Sequence, residues 1–322
     1  MSRVMSIIEQ ATRRLEQLSR AGVSVPWAAA GLAESDVQAR VESDSQHPAK
    51  DPTPAAATRR REEALVSVVE ISPKRLHAPD RAESPVAVTL DLERLERSGH
   101  LVPTQARSAL AEEFRHIKRP LLRNARSKEA AANRLSLIMV TSALPGEGKT
   151  FCAINLAMSM AVEIDTSVLL VDADVVRPEV PQRLGIQAEK GLLDVLTDPD
   201  IDLSDVVLKT NMPKLSILLA GTRNNMSTEL LASEAMEALL VSLATRYPDH
   251  IVIFDAPPLL VTNEATVLAS RIGQVVLVVE ASKTPRSAVA QALAAVEQCP
   301  IVSTVLNKAD RPESLGYGYY YG

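Results

Sequence analysis

The sequence predicts an α/β fold: a P-loop domain with a mostly parallel sheet flanked by helices, preceded by a flexible linker and an N-terminal helix. Three observations carry this expectation. From residue 136 onward, apolar runs of strand length alternate with helical segments, the pattern of strands buried on both faces by crossover helices. The first of those runs leads directly into a loop with two glycines and then a helix. Upstream, a proline-punctuated stretch is too poor in apolar side chains to offset the entropy of ordering it.

Along the chain, Met1 to about Gly22 has helical periodicity, with Ile7, Ile8, Ala11, Leu15 and Leu18 on one face. This reads equally as a helix packed on its own protein and as a docking helix for a partner or a membrane surface. Residues 23–87 form the expected linker, marked by Pro48, Pro52, Pro54, Pro73, Pro79 and Pro85, with one short strand at Ala64–Val69. Its Arg59-Arg60-Arg61 run is followed at once by Glu62 and Glu63, so it reads as a solvated charge run. The domain proper spans 88–315. It opens with Leu90, Leu92, Leu95 and Leu101, then a helix from Thr104 to about Leu122. Strands follow at Ser136–Thr141, Ser167–Val171, Leu215–Leu219, Ile251–Phe254, Gln274–Val279 and Ile301–Leu306. Helices separate them at Lys149–Glu163, Ser227–Thr245, Asn263–Ser270 and Ser287–Glu297. Residues 316–322 are a tyrosine-rich tail.

Composition narrows the function. The chain has 322 residues, 46% hydrophobic and 23% charged, enough for a full core without covalent staples. Aromatics are 3% and the net charge is −5, which speaks against a nucleic-acid-binding body. Two cysteines, Cys152 and Cys299, make no disulfide framework and fit a reducing cytoplasm, each as a small apolar residue. No run of ~18 apolar residues and no secretory h-region is present, so membrane work is expected to go through a partner or a surface-bound helix. His116 lies on a charged helix without metal-ligand spacing, and Trp27 is read as an anchor for the N-terminal helix.

The chemistry begins at Ser142-Ala-Leu-Pro-Gly-Glu-Gly-Lys-Thr150, a P-loop between strand and helix. Gly146 and Gly148 let backbone N–H groups turn toward phosphate oxygens, Lys149 supplies a positive charge, and the Thr150 hydroxyl is placed for Mg²⁺. The helix that follows aims its positive end at the anion. The usual first glycine of the motif is Ala143, which fits where positive φ is not needed. Two later strands end in carboxylates: Asp172-Ala-Asp174-Val-Val-Arg177 and Asp255-Ala-Pro257-Pro258. Ligands of open parallel sheets bind beyond the carboxyl ends of the strands, so all three carboxylates are expected to converge on the P-loop. The competing reading of a strand-end Asp is a helix cap or turn residue. Asn225-Met-Ser-Thr-Glu229 reads as a loop and helix start beside the site.

Taken together, these residues resemble the bacterial tyrosine autokinases (BY-kinases) of exopolysaccharide and capsule loci. The family's [GA]-x-P-G-E-G-K-[ST] loop is matched by Ala143–Thr150, its D-x-D-x-R motif by Asp172–Arg177, its D-x-P-P by Asp255–Pro258, and its C-terminal tyrosine cluster by Tyr317, Tyr319, Tyr320 and Tyr321. The opening Ser6-Ile-Ile-Glu9…Arg14-Leu-Glu16 and the helix around Glu112–Leu122 are similar to the branch at exosortase (PEP-CTERM) loci.

The resemblance implies ATP and Mg²⁺, bound by Ala143, Pro145, Gly146, Glu147, Gly148, Lys149, Thr150 and Phe151, with Asn307 near the base. It implies a metal held by Thr150, Asp174 and Asp255, and Asp172 accepting or orienting the phenol proton. The tail then serves as substrate, its four tyrosines within the last six residues presented on a flexible chain end; a packed or merely sticky tail is the other reading. Further implications are a homo-oligomer, with ring assembly through Glu112, Arg115 and Lys118, a transmembrane polysaccharide co-polymerase or chain-length adaptor, a tyrosine phosphatase, and a cytoplasmic location peripheral to the inner membrane through that partner. Two departures bear on this. Val176 occupies the motif arginine's place, with Arg177 one residue late. Lys118 stands for the last arginine of E-x-x-R-x-x-R, keeping the charge without the bidentate fork, and Arg119 is a stand-in at another angle.

Three rivals remain at the level of sequence. A ParA/MinD-like switch ATPase shares the fold but carries an early P-loop lysine where this chain has Leu144. A GTPase is suggested by Asn307-Lys-Ala-Asp310, which fits N-K-x-D. A non-enzymatic, nucleotide-gated adaptor is the third.

Overall fold

The computed structural model describes residues 87–105, 107–246 and 250–310. The N-terminal helix, the strand at Ala64–Val69, Trp27, and Tyr317, Tyr319, Tyr320 and Tyr321 lie outside the described residues.

The described chain begins with β1 (Ala87–Val88), α1 (Leu92–Arg97) and α2 (Ala109–Ala125). The central unit is β2 (Leu137–Ser142), α3 (Lys149–Ala161) and β3 (Ser167–Asp172). Three short helices follow, α4 (Val180–Leu184), α5 (Leu192–Thr197) and α6 (Leu203–Val206), then β4 (Leu208–Thr210) and β5 (Leu215–Leu218). The last part runs α7 (Ser227–Ala232), α8 (Glu234–Arg246), β6 (His250–Asp255), α9 (Asn263–Ala269), β7 (Gln274–Glu280), α10 (Arg286–Ala295) and β8 (Ile301–Asn307).

The strands form one eight-stranded sheet in the order β1-β4-β5-β3-β6-β2-β7-β8. Neighbours are parallel except β4 and β5, which run antiparallel. Strand side chains alternate between faces, and β2 shows the result. Ile138 and Val140 join a core with Phe114 and Leu121 of α2 and Ile154 and Met158 of α3. Leu137 and Met139 join the opposite core with Leu239 and Leu240 of α8, Leu268 of α9 and Ala292 of α10. Register then places the chemistry: Val140 lies opposite Asp255, and Asp255 opposite Asp172, so β2, β6 and β3 end side by side.

The predicted α/β class and its six main strands are present; two helices differ from expectation. The helix expected from Thr104 starts at Ala109, because the Ser108 side chain caps it by accepting from Ala111 N at 3.1 Å. Pro103–Gln105 form a separate 3₁₀ turn. The single helix expected over Ser227–Thr245 is two, broken at Ser233, whose backbone is extended and whose hydroxyl accepts from Met236 N at 3.2 Å. The linker's expected end also shifts slightly, since Ala87 already pairs with Lys209 of β4.

Two predictions arise here. His100 is buried with its ring 5.0 Å from that of Phe151. Burial lowers its pKa, Asn155 opposes this, and Arg183 adds to it. A histidine with a folded pKa below its unfolded value of 6.5 binds fewer protons folded than unfolded. Stability is therefore expected to fall as pH drops through the window below 6.5, and His100→Gln to fall less, in melts between about pH 7.5 and 5.5. The second concerns the thiols. Burial, with Asp255 adding, pushes Cys152 up to about 12, and burial raises Cys299. Neither is expected to react with a disulfide reagent at about pH 8 until the chain is denatured, when both titrate.

Candidate functional site

The phosphate loop is shaped by what holds its carbonyls. Gly146 and Gly148 have φ of 85° and 101°, a region other residues enter only with strain. The Gly146 carbonyl accepts from Lys308 Nζ at 2.7 Å, and the Glu147 carbonyl accepts from Asn307 Nδ2 at 2.8 Å. In a trans peptide, C=O and N–H point opposite ways. The N–H groups of Glu147 and Gly148 therefore face the other side, the concave side of the loop. The Glu147 side chain is buried and turned back into the loop, where it accepts from Leu144 N at 2.7 Å and from the Thr284 hydroxyl. Ala143 is fully buried, and its carbonyl accepts from Leu260 N at 3.2 Å. It is not among the positive-φ residues, which is why alanine serves in place of glycine there.

Lys149 begins α3, and its Nζ lies 2.7 Å from Asp174 Oδ2 and 3.7 Å from Asp255 Oδ1. It also donates to Thr150 Oγ1 at 3.3 Å. Burial works against its charge, but Asp255 and Asp174 outweigh burial and raise its pKa. Asp255 is fully buried, and neither carboxylate oxygen has a hydrogen-bond partner. Burial pushes its pKa up to about 6, against the pull of Lys149 and Thr150. Asp172 accepts from Val180 N through Oδ2 at 3.3 Å, while its buried Oδ1 has no partner. Burial first, then Asp255, hold its pKa well above the carboxylate range. Asp174 does two jobs, since its Oδ1 caps the following turn by accepting from Arg177 N at 3.0 Å.

These groups fit a nucleotide-bound Mg²⁺. Buried carboxylate oxygens without hydrogen-bond partners, next to a threonine hydroxyl and a lysine, want a cation and an anion together. Among the described residues, no three histidine, cysteine or acidic side chains form a cage for a metal. Mg²⁺ is suited to the set that is present, one or two carboxylates completed by phosphate oxygens and water.

Other expected site residues are placed less centrally. Phe151 packs its ring on His100. Pro145 is exposed at the loop tip. The Arg177 side chain is exposed, so the displaced motif arginine serves Asp174 through its backbone N–H. Glu112 and Arg115 pair at 2.5 Å on the outer side of α2. Lys118 differs from expectation: it is buried, 2.6 Å from both Ser159 O and Glu163 Oε1, and so ties α2 to the end of α3. Two contributors were not singled out by sequence, Thr284 and Arg223, whose Nη2 donates to Val176 O at 3.0 Å beside the second acidic motif, and Lys308 was noted only within the N-K-x-D match, not as a loop contact. For Lys308 a signal existed, its place directly after Asn307.

The comparisons with known proteins agree with this geometry. The family described as AAA domain matches residues 136–305. The tyrosine-protein kinase YwqD of Bacillus subtilis is 31% identical over 220 residues, 67% of this chain and 89% of that one. The succinoglycan biosynthesis transport protein ExoP of Rhizobium meliloti is 30% identical over 247 residues, 75% of this chain but 30% of that protein. Among solved structures, the kinase domain of the Escherichia coli tyrosine kinase Etk superposes with a TM-score of 0.57 at 26% identity, covering 69% of this chain and 86% of that one. The phosphate loop, the converging carboxylates and these similarities together establish that the chain belongs to the bacterial tyrosine-protein kinases, built on a P-loop domain of the AAA class.

Proposed function

We propose that the protein transfers the γ-phosphoryl group of ATP to the tyrosines of its own C-terminal cluster, Tyr317, Tyr319, Tyr320 and Tyr321, in a neighbouring copy, and thereby regulates exopolysaccharide polymerisation or export. The observation that carries this reading is Lys149 drawn between Asp174 and Asp255 at the mouth of a phosphate loop. The N–H groups of Glu147 and Gly148 bind phosphate oxygens, and Lys149 neutralises the transferring group. Thr150, Asp174 and Asp255 are the residues to hold Mg²⁺, which supplies charge neutralisation on the phosphates. The phenol oxygen forms a bond to Pγ as the bond to the ADP oxygen breaks. The phenol proton passes to the ionised form of Asp172 through Oδ1, the buried oxygen that has no hydrogen-bond partner. Each phosphate adds roughly −1.5 to −2 charges, and a modified tail is repelled by the three carboxylates. Transfer between copies thus leads to release.

Among the described residues, no helix is long and apolar enough to cross a membrane. The setting we infer is cytoplasmic, on the inner membrane through a transmembrane polysaccharide co-polymerase or chain-length adaptor, in a homo-oligomer, with a tyrosine phosphatase reversing the reaction. The similarity to ExoP, named as a polysaccharide transport protein, supports that setting. Glu112 and Arg115 are the proposed oligomer contacts on α2. The exosortase-locus placement rests on the N-terminal segment and α2.

The test is incubation with γ-labelled ATP and Mg²⁺, followed by phosphotyrosine mapping. Label is expected on the tail. It should vanish both in Lys149→Met and when all four tyrosines are Phe, and return when those two variants are mixed. No label, even with a candidate adaptor present, reverses the conclusion in favour of a switch ATPase.

A further inference from the structure

We propose that Lys308 is the positioning residue of the phosphate loop. Held by Glu280, its ammonium group fixes the Gly146–Glu147 peptide in the orientation that presents an N–H to the nucleotide's phosphates. The inference deepens the proposed function, because it rests on the loop being a nucleotide site.

The exposed tip of a phosphate loop has an intrinsic conflict. Its amides must face the anion, so its carbonyls must face outward, and an outward carbonyl needs a donor or its peptide is free to rotate. Here the two consecutive carbonyls are served by two consecutive residues at the end of β8. Asn307 takes the Glu147 carbonyl and Lys308 the Gly146 carbonyl. The lysine amine is itself anchored: Nζ lies 3.2 Å from Glu280 Oε2, at the end of the adjoining strand β7. Glu280 N accepts no freedom either, since it donates to Thr284 Oγ1 at 3.1 Å, and the Thr284 hydroxyl in turn donates to the Glu147 side chain. The loop is therefore held from its convex side by a closed circuit: Gly146, Lys308, Glu280, Thr284, Glu147.

Backbone geometry points the same way. Lys308 has a φ of 56°, a left-handed conformation uncommon for a residue with a side chain. Glycine or asparagine would adopt it with less strain. A lysine held there fits a side chain wanted for what it reaches. Asn307-Lys-Ala-Asp310 thus acts here through contacts to the loop backbone, made by its first two residues.

The experiment measures binding of a fluorescent ADP analogue with Mg²⁺ to the full chain, alongside phosphorylation kinetics and melting with and without nucleotide. Lys308→Met removes the charge and keeps the bulk. Lys308→Gly removes the amine and relieves the backbone. Both are expected to raise the dissociation constant on the order of tenfold, the loss expected for a charge-assisted hydrogen bond. Lys308→Arg, which keeps a donor, should recover most of it. KM for ATP should rise more than kcat falls, and Glu280→Gln should give a smaller loss that is not additive with Lys308→Met. Weakened binding in Lys308→Met but normal binding in Lys308→Gly overturns the proposal, since the backbone would then be responsible. Unchanged binding in both, or equal loss of melting temperature with and without nucleotide, overturns it as well. If the wild type binds the analogue but labels no tyrosine, the kinase reading fails while these binding comparisons still decide the role of Lys308.

Discussion

Lys149→Met is expected to reduce phosphotransfer by about 10²–10³-fold, the loss typical when one charge-stabilising donor is removed from a preorganised site. It is also expected to destabilise the protein before any nucleotide binds. The lysine is the cation 2.7 Å from Asp174 and 3.7 Å from the fully buried Asp255. Removing one partner of a buried pair costs about 3–5 kcal/mol where the remaining charge has no escape. Asp255 has one, because burial already lifts its pKa to about 6 and loss of Lys149 lifts it further. The sign follows from linkage. A carboxyl with a folded pKa above its unfolded value of 3.8 binds more protons when folded. Its cost is full above the folded pKa and fades as pH falls toward 3.8. The melting deficit of Lys149→Met should therefore be large near pH 8 and small near pH 5, in chelator and without nucleotide. An equal deficit at both would show that the lysine stabilises through packing of its stem alone.

The same buried cluster shows how far a sequence can be read. Asp172, Asp174 and Asp255 were legible because each follows an apolar strand into a turn, and parallel sheets gather strand ends. Their convergence needs only register, and the register of β3 on β6 sets Asp172 beside Asp255. The convex side of the loop was not legible in this way. Thr284 and Glu280 lie more than 130 residues from Glu147, and nothing local marks a threonine after β7 as a hydrogen-bond donor to a P-loop glutamate. The resemblance placed Asn307 near the base, and nothing in the sequence marked the contact the structure shows, its amide on the Glu147 carbonyl.

The remaining differences have local causes. β1, β4, α1 and α4–α6 span two to six residues each, too short for a hydrophobic period to show. Ser233 sits in a run of good helix formers, so propensity favours one continuous helix. A serine hydroxyl that caps α8 by accepting from Met236 N overrides it. Lys118 was carried over as an oligomer contact from its place in a motif. The structure buries it, because α2 packs against α3 and the amine finds Glu163 and the Ser159 carbonyl there. Motif identity supplied the residue type, and packing decided its direction.

Gly148→Ala is expected to weaken nucleotide binding by at least about 100-fold, and comparison with Gly146→Ala separates the two reasons. Both glycines have left-handed φ, so alanine at either incurs a conformational cost of about 1–3 kcal/mol. They differ in what a Cβ meets. At Gly146 nothing lies within 4 Å, whereas at Gly148 a Cβ would stand 2.1 Å from Asn307 Nδ2. The Asn307 amide cannot yield without leaving the Glu147 carbonyl, to which it donates at 2.8 Å. Gly148→Ala thus displaces either Asn307 or the first turn of α3, which carries Lys149 and Thr150. Gly146→Ala should weaken binding of an ADP analogue modestly, and Gly148→Ala by at least about 100-fold, the strain and the lost hydrogen bond acting together. The clash term is isolated by adding Asn307→Ala. Alone, that change loses the tie to Glu147. Combined with Gly148→Ala it removes the obstructing amide, so the double variant should melt higher than the sum of the two single losses predicts. Strict additivity in that cycle would mean that backbone strain at Gly148, and not the contact with Asn307, is what demands glycine there.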